Sequence, residues 1–298
     1  MLIASVLVGL IILYLVANSV YSYGFSRKKD YVDLHEIEFE KHKKQLPVPF
    51  SKVIKANDGV ELYGDIYMNR NNFSSKIAII IHGYGFSRKS VIGIADAYYN
   101  DFGYSVLLPD LRAHGESGGK YVGFGWSDSK DILNWILYVK EMFGENVQIV
   151  LHGISMGGAT ALLTGAKRSE DISAIISDCS FSSIKDILIL RLRKDLNLPK
   201  FPFIYIVDFI MRIRCKYSIK DGNVKEEVKK IRCPVFYIHG QDDDFIPVGA
   251  VYALYENTKS YKKLYICPAA GHAQSALIDP EEYRNRISNF LKYVFGRI

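Results

Sequence analysis

The chain has 298 residues, 49% of them hydrophobic and 23% charged, with a formal net charge of +6. This is enough chain for a full buried core, and the composition is ordinary for a globular protein, which excludes a low-complexity or repeat architecture. Four scattered cysteines, Cys179, Cys215, Cys233 and Cys267, show no C-x-x-C spacing, so they give neither a zinc ligand set nor a disulfide framework and read as free thiols.

Residues 1–26 contain no charged side chain, and the run from Leu2 to Val20 is almost wholly apolar. At roughly 1.5 Å per residue such a helix crosses a hydrocarbon layer of about 30 Å. Tyr21 and Tyr23 stand where interfacial aromatics are expected, and Arg27-Lys28-Lys29 follows. No Lys or Arg precedes the run and no A-x-A site closes it, so residues 1–26 read as an uncleaved transmembrane anchor rather than a signal peptide. The positive flank lies on the C-terminal side, which orients the rest of the chain toward the cytoplasm. Residues 27–49 read as a juxtamembrane helix or linker, with His42 as a solvated member, and the globular domain spans 50–298.

Ser51–Asn57 and Val60–Met68 predict two strands joined at Asp58-Gly59, a hairpin signal. Lys76–Ile81, Tyr104–Leu108, Val147–Leu151, Ile172–Ser177, Val235–Ile238 and Leu264–Cys267 are short apolar runs of the kind found in buried parallel strands. Helical patterns fall between them at Arg88–Asn100, Trp126–Phe143, Met156–Arg168, Val248–Asn257 and Pro280–Val294. The alternation predicts an α/β class, with a mostly parallel, doubly wound sheet opened by an antiparallel hairpin.

Residues 180–232 break this alternation. Helices are expected at Ile184–Asp195 and Phe201–Arg214, divided by Pro199 and Pro202. The insertion reads as a helical lid over the C-terminal edge of the sheet. It is rich in apolar residues (Phe201, Phe203, Ile204, Tyr205, Val207, Phe209), which suits an acyl or aromatic substrate or simply packing onto the core. It is also basic: residues 185–232 hold thirteen Lys/Arg and six Asp/Glu. That charge fits an anionic membrane surface, an anionic substrate or a solvated face. No basic stripe with stacking aromatics accompanies it, which argues against nucleic acid as a partner.

The most informative segment is Gly153-Ile154-Ser155-Met156-Gly157, placed between an apolar strand-like run and a small-residue helix. A serine flanked by glycines at a strand-to-helix turn is a nucleophile elbow, where side chains at either glycine would clash with the neighbouring strand or helix. A serine hydroxyl needs a base, and the base an orienting acid. His272, in the loop after the Leu264–Cys267 strand, fits the base. Asp242, Asp243 and Asp244, after Val235–Ile238, are candidates for the acid, with Asp178 a more distant substitute whose ordinary role would be a helix or turn cap. The remaining histidines His82, His114, His152 and His239 read as loop-stabilising. Gly115-Glu116-Ser117-Gly118-Gly119-Lys120 fails as a phosphate loop because the spacing is wrong and Tyr121 replaces the Ser/Thr. No metal motif is present and the chemistry requires no cofactor.

With Ile81-His82-Gly83-Tyr84-Gly85, Leu108-Pro109-Asp110-Leu111-Arg112-Ala113-His114-Gly115, the elbow, His239-Gly240 and Gly271-His272 in order, residues 50–298 resemble the α/β-hydrolase superfamily. They are most similar to lidded serine hydrolases of the carboxylesterase, monoacylglycerol-lipase and serine-aminopeptidase type, several bacterial members of which carry an N-terminal membrane segment. The family pattern H-G-x-x-D-x-x-V-P selects Asp243 as the acid. The resemblance implies an oxyanion hole made by the backbone N–H groups of Met156 and Tyr84, although Tyr84 could also be a plain pocket wall. The function implied is hydrolysis of a small-molecule carboxylic ester through an acyl-enzyme on Ser155. Two alternatives are a peptidase or amidase with the same machinery, and a non-catalytic hydrolase-like binding protein at the membrane.

Overall fold

The computed structural model describes residues 2–27, 46–69 and 75–296. Most of the expected juxtamembrane segment, His42 included, lies outside the described residues.

One sheet of eight strands organises the domain: β1 (Phe50–Lys55), β2 (Glu61–Tyr67), β3 (Lys76–Ile81), β4 (Ser105–Pro109), β5 (Gln148–Ile154), β6 (Ala174–Asp178), β7 (Val235–Gly240) and β8 (Lys262–Cys267). Their spatial order is β1-β2-β4-β3-β5-β6-β7-β8. The hairpin β1–β2 is antiparallel and β2 joins β4 antiparallel; from β4 to β8 every pairing is parallel. The hairpin turns where Gly59 adopts a φ of +83°, a conformation in which most residues are strained. The interior strands are continuous apolar runs because both faces are covered: Ile77 to Ile81 and the whole of β6 and β7 are buried.

Ten α-helices are described: α1 (Leu2–Phe25), α2 (Ile92–Asp96), α3 (Trp126–Phe143), α4 (Met156–Lys167), α5 (Ile184–Leu196), α6 (Lys200–Arg214), α7 (Val224–Glu227), α8 (Gly249–Asn257), α9 (Ser275–Ile278) and α10 (Pro280–Phe295). Amphipathic α3 buries Ile132, Trp135, Ile136 and Val139 along one face. Helix α4 is buried on every side from Met156 to Gly165, which its small residues allow. A side chain at Gly165 would already meet Ile175 Cδ1 at 2.3 Å.

Two expectations need correction. The segment 88–100 is not one helix. It runs as a 3-10 turn (Arg88–Val91), then α2, then a π turn (Ala97–Asp101). Arg88 explains the broken start: its backbone N–H donates to Asp110 Oδ1 at 2.7 Å, and its guanidinium pairs with Asp65, Asp110 and Glu116. The break between the two inserted helices falls where Pro199 and Pro202 predict it: α5 ends at Leu196, Phe201 has non-helical dihedrals (φ −94°, ψ 133°), and regular helix resumes at Pro202. Tyr21 is not an interfacial residue. It is fully buried, stacks on Phe25 at 5.1 Å and meets Cys215 Sγ through its hydroxyl at 3.0 Å.

That burial reflects how α1 sits. Its first half exposes Leu7, Val8, Ile11, Ile12 and Leu15, while Ala17, Tyr21 and Phe25 pack into the domain, with α6 as the neighbouring helix. The four cysteines are free thiols, three of them buried.

Candidate active site

Strand β5 ends at Ile154 and α4 begins at Met156, leaving Ser155 alone at the turn with φ 54° and ψ −117°. A non-glycine residue there is strained, so the surroundings must hold it. The flanking glycines show how. A Cβ on Gly153 would lie 2.0 Å from Gly157 O, and one on Gly157 would lie 2.1 Å from Ile81 O. Strand and helix therefore close on the turn at backbone contact. Ser155 N–H donates to Asp178 O at 2.8 Å and Ser155 O accepts from Ala159 N at 3.1 Å, fixing the turn from both sides.

Three loops at the C-terminal edge of the sheet then converge. His272, after β8, places Nε2 2.9 Å from Ser155 Oγ and Nδ1 2.8 Å from Asp243 Oδ2. An ionised Asp243 accepts from Nδ1–H, which leaves Nε2 free to accept the serine hydroxyl proton. Asp242 and Asp244, the rival acids, are exposed, whereas Asp243 is buried. Its Oδ1 accepts from the backbone N–H of Phe245 at 2.9 Å and of Ile246 at 2.7 Å. Burial pushes the Asp243 carboxyl up, but hydrogen bonds from His239, His272 and Ile246 outweigh it and hold the group well below the usual carboxylate range.

The other histidines divide into supports. His239 Nε2 lies 2.9 Å from Ile246 O and 3.2 Å from Asp243 Oδ2, so it braces the acid loop. His114 Nε2 accepts from Gly85 N–H at 3.0 Å and His82 Nε2 accepts from Leu111 N–H at 3.0 Å. They hold the loop after β3 beside the serine; a Cβ on Gly83 would stand 3.5 Å from Ser155 Cβ. Tyr84, from that loop, and Met156 both line the cavity with Ser155.

Asp178 is neither a cap nor a second acid for His272. It is buried beneath the elbow, and its Oδ2 accepts from Tyr283 Oη–H at 2.9 Å. His152 Nε2 meets the same Tyr283 hydroxyl at 3.0 Å. Burial raises the Asp178 carboxyl to about 6. This three-residue network joins α10 to the floor of the site. Its members lie 26 to 131 positions apart, and no local spacing signals it.

A cavity of about 830 Å³ opens over Ser155. Its walls come from α1 (Val20, Tyr23, Gly24, Phe25), from α5 (Ile187, Leu188, Leu192) and from the far side (Ile94, Tyr98, Ile287), with Phe124 and Phe181 between. The insertion reaches the cavity through α5, not through the apolar residues of α6, none of which lines it. Instead Phe203, Ile204, Val207, Ile210 and Met211 pack inward, while Phe201, Tyr205, Phe209 and Ile213 face outward. Helix α5 also grips the acid loop: Arg191 donates to Phe245 O at 3.2 Å and Lys194 to Asp244 O at 2.7 Å. The Phe245 ring in turn tilts against His272 with centroids 4.8 Å apart.

Among the described residues, Cys179, Asp243 and His272 bring potential metal-ligand atoms within 4.8 Å of one another. Burial pushes the Cys179 thiol well above its ordinary range, and His272 Nδ1 is already engaged with Asp243, so the trio is a poor cation site.

A family described as alpha/beta hydrolase fold matches residues 78–203. The Bacillus subtilis protein YqkD is 36% identical over 192 residues, which span 64% of this chain and 63% of YqkD. The chain thus matches somewhat less than two thirds of that relative's length. The Saccharomyces cerevisiae membrane protein YNL320W is 24% identical over 246 residues, 82% of this chain and 80% of its own. Among solved structures, the Pyrococcus furiosus esterase Pf2001 superposes with a TM-score of 0.69 at 26% identity, covering 84% of this chain and 94% of the esterase. Its sheet order, its strand-to-helix elbow and these likenesses together show that the chain has the α/β-hydrolase fold.

Proposed function

We propose that this protein is a serine hydrolase that cleaves carboxylic esters. The single observation behind the reading is the hydrogen-bonded line from Asp243 Oδ2 through His272 to Ser155 Oγ, at 2.8 and 2.9 Å. Ser155 attacks the ester carbonyl and its proton passes to His272 Nε2, while Asp243 stabilises the imidazolium and holds the ring in place. The developing oxyanion is held by the backbone N–H groups of Met156, at the N-terminus of α4, and of Tyr84. His272 gives its proton to the leaving alcohol; it then takes a proton from water as that water attacks the acyl carbonyl, and returns it to Ser155 Oγ as the C–Oγ bond breaks, which releases the acid and restores the free enzyme.

The esterase activity of the Pyrococcus relative supports an ester over an amide. The apolar cavity walls support an acyl or aromatic group in the substrate. Residues 180–232 act as a lid over this pocket, carried mainly by α5. Helix α1 acts as a single-pass anchor, with the domain on the cytoplasmic side, where Arg27-Lys28-Lys29 lies. Its exposed apolar half, the outward Phe201, Tyr205, Phe209 and Ile213 of neighbouring α6, and the basic insertion all support a bilayer on this side. The membrane naming of YNL320W agrees.

A fluorophosphonate probe and short p-nitrophenyl esters test the chemistry. Ser155→Ala is expected to abolish labelling and to lower kcat by about 10⁴-fold or more. Undiminished turnover in that variant would overturn the assignment.

A further inference from the structure

The first 27 residues look separable in the sequence: an apolar rod ahead of a hydrolase. The structure joins them to the chemistry. Val20, Tyr23, Gly24 and Phe25, the last turn and a half of α1, line the same cavity as Ser155 and His272. The turn is locked in place on several sides. Phe25 O accepts from Val122 N–H at 2.8 Å, and the Phe25 ring lies 4.6 Å from that of Phe124. Phe124 is 5.5 Å from the ring of Tyr84, whose hydroxyl donates to Tyr23 O at 3.3 Å. Arg27 donates to Ser117 O at 2.5 Å and to Gly115 O at 2.6 Å.

Gly24 is the telling position. A Cβ built there meets nothing within 4 Å. The glycines of the elbow are forced by backbone contact, and this one is not. Its missing side chain leaves open space on a helix face that belongs to the cavity wall.

We propose that the last turn of α1 is a substrate-binding wall, and that Gly24 sets how long or bulky an acyl group the site accepts. The inference rests on the ester-hydrolase reading above and names a specificity residue for it. A larger side chain at 24 narrows the cavity without meeting the backbone, so it obstructs long acyl chains more than short ones.

The test uses the full chain in detergent micelles, with Gly24→Ala, Gly24→Leu and Gly24→Phe, and Gly9→Phe as a control on the exposed half of the same helix. The readout is kcat/KM for p-nitrophenyl dodecanoate divided by that for p-nitrophenyl acetate. The ratio should fall stepwise with side-chain size, at least tenfold for Gly24→Phe. Gly9→Phe should leave the ratio unchanged. A ratio independent of the residue at 24 in folded variants overturns the inference, as does an equal fall with Gly9→Phe. Binding of dansyl-undecanoic acid to Ser155→Ala separates this from the chemistry. If wild type hydrolyses no ester, the reaction assigned above fails, while weaker probe binding in Ser155→Ala/Gly24→Phe than in Ser155→Ala still supports the wall. Equal binding in the two removes it.

Discussion

Two places in this molecule depend on glycine, for opposite reasons. At the elbow, Gly153 and Gly157 are squeezed between strand and helix, and an added Cβ would sit about 2 Å from a backbone oxygen in each case. At the end of α1, an added Cβ at Gly24 would meet nothing within 4 Å. The first site is over-determined: backbone against backbone, buried, with no freedom left. The second is a boundary between protein and empty space. The contrast teaches that Ser155 is fixed by strand and helix backbone, while the wall of the pocket above it is shaped by the helices added to the sheet.

Asp243→Asn probes the over-determined side most severely. The amide cannot hold His272 in the productive tautomer, and kcat is expected to fall by about 10⁴-fold with KM little changed, read by steady-state ester hydrolysis. A loss below tenfold would mean that the acid loop is not the orienting group and would weaken the contrast. Gly157→Ala comes next. The Ile81 carbonyl would have to retreat, so denaturant titration should show a loss of about 3 kcal/mol or more. Gly24→Ala, by comparison, should be neutral or stabilising in the same titration. Equal effects at 157 and 24 would erase the distinction between the two regions.

The smallest effect concerns the floor of the site. Asp178 titrates near 6 in the folded protein rather than at 3.8. Between those values the unfolded chain has released its proton and the folded one keeps it, so this group makes stability fall as pH rises from about 4 to about 6 and level off above. Asp178→Asn should remove that slope, seen as a difference between the two Tm–pH curves, which become parallel above pH 6. Curves parallel throughout would show that the carboxyl is not buried as described.

The parts legible in the sequence are those that depend on local pattern. Buried strands such as Lys76–Ile81 appear as unbroken β-branched runs, and the crowding at Ser155 is encoded by its two glycines. That Ser155, Asp243 and His272 could meet was also legible, because each follows a strand and the sheet gathers strand ends along one edge. Spacing alone left three neighbouring aspartates open; a family pattern singled out Asp243, and its burial and its bonds to Phe245 and Ile246 are facts of the folded loop. Contacts between distant segments could not be read at all. Tyr283 meets Asp178 across 105 residues, and nothing near either one announces the other. Tyr21 is another case. Beside a long apolar run a tyrosine suggests a membrane surface, and only the tertiary structure shows Cys215 waiting for it 194 residues away. The apolar character of residues 201–213 was visible, but which of them point inward depends on the neighbours of α6.

One consequence follows from Ser26 and Arg27. Ser26 bridges to Tyr121, and Arg27 N–H donates to Lys120 O at 3.1 Å, so the helix is bolted to the domain rather than tied to it by a leash. A catalyst mounted this way has a fixed height and a fixed heading relative to whatever holds the rod. Trimming the rod to obtain a freely diffusing version would also unroof the chamber, and the product would be a broader, leakier enzyme rather than the native one set loose.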